Sequence, residues 1–225
     1  MASSSIHTGL VVVFLSLAPS ASLATAVVVV AQAGSVTASA SHPDGTPSED
    51  MNSAPDHGDF SVRASASSGP AGDPAQALVR LRSMFHDDAI HMLVDGFALE
   101  SVAGGGEASG SSLYDVTFDL TVASVYDLNY RGIVGEFNDT GGTLSDATGV
   151  LIEFLPETDR TGFLEPGRYR LEIFATGRAA PSEMDGLIHQ HLDFLFTPIP
   201  EPSAAALVGA GLAALRLARG SARRG

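Results

Sequence analysis

Two short clusters carry the side chains best suited to chemistry. His86-Asp87-Asp88 with His91 brings two imidazoles and two carboxylates into six residues, a donor mix that suits a transition metal or calcium. All four face water together if the chain turns at Asp87-Asp88. The plainer reading is an Asp-Asp turn joining two strands, with the histidines simply exposed. His189 and His191 lie two apart, so on a strand they project to one face, where Asp193 adds a third donor. Here the plainer reading is the polar outer face of a sheet. Neither cluster is assigned as a metal site, and no cofactor is expected.

Other catalytic patterns are missing from the chain. There is no Gly-x-Ser-x-Gly elbow, no phosphate-cradling Gly-rich loop with a lysine and no His-Glu-x-x-His helix. The 12 positive residues are all arginines, so a lysine Schiff base is impossible, and the absence of cysteine rules out disulfides, thiolate nucleophiles and Cys-ligated zinc. The chain reads as a non-enzyme. Its 26 carboxylates give a formal charge of −14, which repels nucleic-acid phosphates and excludes nucleic acid as an expected partner.

Period-two alternation dominates from Phe60 to Thr197. Tyr114, Val116, Phe118, Leu120 and Val122 alternate with polar residues, as expected of a half-buried antiparallel strand. Arg168–Ala175 and Ile188–Phe196 repeat the pattern, the latter with Ile188, Gln190, Leu192, Phe194 and Phe196 on one side of the strand and His189, His191 and Asp193 on the other. Weaker candidates are Phe60–Ala66, Ala77–Phe85, Ile90–Val94, Tyr126–Gly132 and Val150–Leu155. Gly104-Gly105-Gly106, Asn138 to Gly142, Pro166-Gly167 and Ala180-Pro181 read as turns between them. About eight short strands imply an all-β, antiparallel sandwich or jelly-roll-like domain. Within Leu164–Ala175, the run LEPGRYRLEIFA resembles a strand entry of many extracellular β-sandwich modules. There a Pro-Gly turn feeds a strand whose first inward tyrosine returns its hydroxyl to nearby backbone.

The segment before Phe60 differs in composition. No charged residue precedes Asp44, and Gly9–Ala18 is an apolar run of signal-peptide length. Small residues at Ser22/Ala24, Ala24/Ala26 and Ala31/Ala33 offer peptidase sites. Cleavage after Ala33 is preferred because it also removes the apolar run Ala26–Ala31. An uncleaved anchor over residues 9–33 is the alternative, since the n-region has no Lys or Arg. Ser35–Asp59 is Ser, Ala, Thr, Pro, Asp and Gly with almost no large apolar side chain, and is expected to be a disordered linker.

The far end of the chain is the most distinctive part. Pro198-Ile199-Pro200-Glu201-Pro202 forms a stiff, non-helical spacer. An uncharged run of 13 residues, Ser203–Leu215, follows, and then Arg216, Arg219, Arg223 and Arg224. Motif, short apolar helix and terminal arginines, in that order, resemble the PEP-CTERM sorting signal of exported bacterial proteins. The resemblance implies export through the Sec translocon, signal-peptidase cleavage, and processing by an exosortase at Pro200, Glu201 and Pro202, with the arginines held on the cytoplasmic side. A transmembrane helix needs roughly 20 apolar residues, so this short one implies a transient hold on the inner membrane, and a mature protein that ends near the motif.

The expected organisation is therefore a signal peptide (1–33), a linker (34–59), a β-sandwich domain (60–197) and a sorting signal (198–225). Functionally, the chain reads as a structural or interaction protein of the cell surface, biofilm matrix or exopolysaccharide. A carbohydrate-binding β-sandwich is the first alternative, and a secreted metal-dependent hydrolase at the histidine clusters the second. Tyr126 and Tyr130 share a strand parity that could present rings to a sugar. With no Trp and 7% aromatic residues in the chain, core packing is the better use for them.

Overall fold

The computed structural model describes residues 26–56, 58–101, 105–133, 138–179 and 186–199. The expected signal core, the Pro200-Glu201-Pro202 motif, the apolar tail and its arginines lie outside these residues. Within them the chain is all-β: β1 (Val27–Ser41), β2 (Ser48–Ser53), β3 (Phe60–Ser68), β4 (Ala75–His86), β5 (Ala89–Leu99), β6 (Glu107–Leu120), β7 (Ser124–Gly132), β8 (Asn138–Asp146), β9 (Gly149–Phe154), β10 (Thr158–Leu164), β11 (Gly167–Ala179) and β12 (Gly186–Pro198). They form two six-stranded antiparallel sheets, ordered β2-β1-β6-β11-β8-β9 and β10-β7-β12-β5-β4-β3. The sheets pack face to face around one apolar core.

Alternation decides which side chains enter that core. Tyr114, Val116, Phe118 and Leu120 of β6 are buried, as are Tyr169, Leu171, Ile173 and Ala175 of β11 and Ile188, Gln190, Leu192, Phe194 and Phe196 of β12. These are the inward sets that the sequence pattern gives. At one end of the sandwich the filling is aromatic. Phe118 stacks on Tyr169 within its own sheet and meets Phe194 and Phe196 of the opposite sheet edge-on. Tyr126 and Tyr130 are buried too, so they pack in the core and do not present rings to solvent. Pro166 leads into β11 as expected, and the Tyr169 hydroxyl donates to the Glu165 carbonyl at 2.7 Å.

Toward the other end the core is built from small residues. Ala38, Ala40, Ala64, Ala66, Ala77, Ala98, Ala108 and Ala179 are buried there. Gly110 and Gly177 are register partners in the first sheet. Val79 occupies the space a side chain at Gly110 would need, and Ile188 the space one at Gly177 would need.

This small-residue packing corrects the expectation of a linker over 34–59. Strand β1 begins at Val27, crosses the preferred cleavage point after Ala33 and pairs with β6 along its length. β2 then pairs back on β1 from Ser35↔Ser53 to Ala40↔Ser48. Val36, Ala38 and Ala40 are buried, with Ala38 beside Gly110 and Ala40 beside Ala108 in the register with β6. A segment without large apolar side chains therefore still contributes to the core. Asn138 to Gly142 is likewise not a turn but the start of β8, paired with β11. Gly142 is there because a side chain at that position would strike the Glu172 carbonyl.

Buried polar groups bridge the sheets at two places. Ser83 of β4 and the Tyr114 hydroxyl of β6 are 2.8 Å apart, and Gln190 of β12 donates to the Phe174 carbonyl of β11. Burial also pushes the Tyr114 phenol well above its ordinary range. Phe118→Ala is expected to destabilise the domain by about 3–5 kcal/mol and Gly177→Ala by about 1–3 kcal/mol. The outward Ser61→Ala should stay within about 0.5 kcal/mol. Denaturant unfolding of the three variants checks this; equal losses would contradict the described inward and outward faces.

Candidate functional site

The two histidine clusters meet on the outer face of the second sheet, because the strands that carry them are neighbours. His86 ends β4, Asp87-Asp88 forms the two-residue turn, and Ala89 opens β5 opposite His86. In β5, His91 pairs with Asp193 of β12. Its Nδ1 lies 2.6 Å from Asp193 Oδ1, within hydrogen-bonding distance. His191 Nε2 sits 3.3 Å from the same oxygen, and the His86 ring packs edge-on against His91. One member of each cluster thus comes together around Asp193, while Asp87 and Asp88 stay at the turn.

The Asp87 carbonyl accepts from the Ala26 and Val27 amides, and the Asp88 carbonyl accepts from Phe196. The turn therefore fastens the start of β1 and the end of β12 through its backbone. His189 lies on the same outer face one step further along β12, opposite Asp95.

The His91–Asp193 spacing is that of a hydrogen bond. Two zinc ligands in tetrahedral geometry stand roughly 3.3 Å apart, wider than the His91–Asp193 contact. Among the described residues no three His, Asp or Glu side chains are placed to hold a metal ion.

The structure adds residues to this face that the sequence patterns did not bring together. Arg63 of β3 stands directly opposite Arg80 of β4, and Arg82 follows two residues on. Signals for them existed, since Arg63, Arg80 and Arg82 all have outward parity in their strands, but the register that aligns them does not show in the sequence. These arginines, with Phe60, Met84, Leu93, His91, His189, His191 and Asp193, line an open groove of about 1190 Å³ across β3, β4, β5 and β12.

The outer face of the first sheet treats its arginines differently. Arg168 chelates Asp119 with contacts of 2.7 and 2.9 Å, Arg170 binds Asp115 and Glu172, and Arg178 reaches Glu107. On the second sheet Arg131 pairs with Asp159. Arg63, Arg80 and Arg82 form no ion pair among the described residues; nor does Arg160, which lies apart from them on β10. Like charges directly opposite in a sheet are destabilising. The groove therefore gathers three arginines without ion pairs, alongside the carboxylates of Asp59 and Asp193, on a chain whose carboxylates outnumber its arginines more than two to one.

No known family model matches the sequence, and no curated protein is significantly similar to it.

The paired face makes a direct electrostatic prediction. The hydrogen bond from Arg168 holds the Asp119 carboxyl below the usual carboxylate range. A depressed folded-state value adds stability that is present above the unfolded value and is lost as pH falls through the folded one. Arg168→Gln should move the Asp119 titration up toward the usual range, as read by NMR of the carboxyl carbon. An unchanged midpoint would show that the pair does not form in solution.

Proposed function

We propose that this chain is an exported bacterial surface or extracellular-matrix protein with a structural or interaction role, sorted and processed through Pro200-Glu201-Pro202. Its β-sandwich is the working part in this reading, and the two flanking segments direct and trim it. The observation that carries the reading is the placement of the domain's ends: β1 starts at Val27 and β12 stops at Pro198. The sandwich thus fills the interval between the apolar leader and the sorting motif. The partners would be the Sec translocon and signal peptidase, then an exosortase, with the inner membrane engaged transiently. No catalytic role is assigned. The jelly-roll-like description remains part of this proposal; the two-sheet sandwich is what the strand order supports.

Strand β1 also changes which leader cleavage is proposed. Cutting after Ala33 would remove Val27–Ala33, whose residues pair with β6 from Leu120 to Asp115. The buried Ala26 donates its amide to Asp87 and accepts from Thr121. Cleavage after Ala24 leaves all of these in place, so the mature protein should begin at Thr25.

Carbohydrate binding is the second reading, favoured by the open groove on the second sheet.

Two measurements test the first reading. Mass spectrometry of the surface-released protein should find Thr25 as the N-terminus and no peptide beyond the Pro-Glu-Pro region; recovery of Arg223-Arg224 in that material would overturn the processing. Deleting the exosortase should leave the protein in the inner-membrane fraction, and unchanged release would overturn sorting through the motif.

A further inference from the structure

We propose that the groove over β3, β4, β5 and β12 binds the carboxylates of an acidic polysaccharide, with Arg63, Arg80 and Arg82 as the recognising groups. The first observation is the arrangement of charge. Seven of the described arginines lie on the two outer sheet faces, and four of them, Arg131, Arg168, Arg170 and Arg178, are neutralised by nearby carboxylates. The three that are not stand together, two of them directly opposite each other in register. A cross-strand Arg–Arg pair costs stability, and Asp95, the carboxylate opposite Arg80 on β5, forms no ion pair with it. An external anion removes the repulsion, and a guanidinium offers a carboxylate two parallel hydrogen bonds.

The second observation is the form of the site. It is a groove of about 1190 Å³ running across four strands, an open trough suited to a chain and not a closed pocket for a single small anion. Around the arginines it presents hydroxyl and imidazole groups, from Ser61, His189 and His191, which suit the hydroxyl-rich surface of a sugar.

Base stacking separates the possible polyanions. Nucleic acid carries a phosphate at every nucleotide and is bound on single strands by stacking its bases on exposed rings. Here the one aromatic side chain in the groove's lining apart from the histidines, Phe60, is buried and packs on Tyr114. A glycan with one carboxylate per sugar, and neutral hydroxyls between, matches a small basic patch on an acidic protein.

The proposal deepens the matrix-protein reading and rests on it for the presence of such a glycan. Its test is independent of sorting, because it uses the purified full chain in mild detergent. In native gels cast with polygalacturonate the protein should be retarded relative to gels cast with neutral dextran, and 0.5 M salt, taken as about a 4 Å screening length, should abolish the retardation. The double variant Arg80→Gln/Arg82→Gln should bind about tenfold or more weakly. Arg168→Gln/Arg170→Gln, on the other sheet, should bind like the parent.

Three results would overturn the proposal: no retardation of the parent, equal retardation of the Arg80/Arg82 variant, or tighter binding to single-stranded DNA than to polygalacturonate. A parent that dimerises at low salt while the Arg80/Arg82 variant stays monomeric would assign the groove to a second copy of the chain, and would overturn it too. Removing the Arg–Arg repulsion should leave the melting temperature of the variant equal or higher. If the double variant fails to fold, Arg82→Gln alone decides by the same gel comparison. Loss of binding with intact sorting, or the reverse, tells which of the two readings has failed.

Discussion

The ring of Phe118 is the contact on which the rest of the sandwich depends. It stacks on Tyr169 in its own sheet and receives Phe194 and Phe196 edge-on from the other, so one side chain fixes the facing of three strands. Once Phe118 points inward on β6, period-two geometry sends Asp115, Thr117 and Asp119 outward. Once Phe194 points inward on β12, His189, His191 and Asp193 must face solvent. A slip of one residue on either strand would exchange these sets and bury charge. The outward facing of His189, His191 and Asp193 is thus set by aromatic packing on the reverse side of β12.

What could be read in the sequence follows the same logic. β6, β11 and β12 combine large apolar residues with strict alternation, and their inward faces were legible residue by residue. β1 was not, because Val36, Ala38 and Ala40 fill a part of the core lined by Ala64, Ala66, Ala77 and Ala108. There the burial of a methyl group is decided by a partner far away in sequence, and composition looks like that of a linker. The glycines of β8 misled for a related reason. Gly142 marks a close approach to a neighbouring carbonyl, which a sequence cannot distinguish from a turn. For the groove, parity placed each arginine and histidine on an outward face, while the register Arg63↔Arg80 and His91↔Asp193 required the sheet order, which local patterns do not contain.

The two outer faces show two ways of placing arginine in an acidic protein. On the first sheet each guanidinium lies over a carboxylate from an adjacent strand, so the face is locally neutral, and its ion pairs, being exposed, add little to stability. On the second sheet the cross-strand partners of Arg80 are Arg63 and Asp95, and neither forms an ion pair with it. With screening over about 8–10 Å in physiological salt, the local positive field of the groove survives despite the negative charge of the whole. The difference between the faces is therefore one of register, and a chain of the same composition with another strand order would lose it.

The Asp87-Asp88 turn connects this face to the ends of the domain. Its carbonyls accept from Ala26 and Val27 at the start of β1 and from Phe196 near the end of β12. Ile199 then bonds to Ala123, and Thr121 to Ala26. The described chain therefore enters and leaves the sandwich at one end, the aromatic one. Arg80 lies seven residues before Asp87 along β4, roughly 23 Å at the rise of a strand. The arginines of the groove therefore lie well along the sheet from the aromatic end, where the described chain enters and leaves the sandwich.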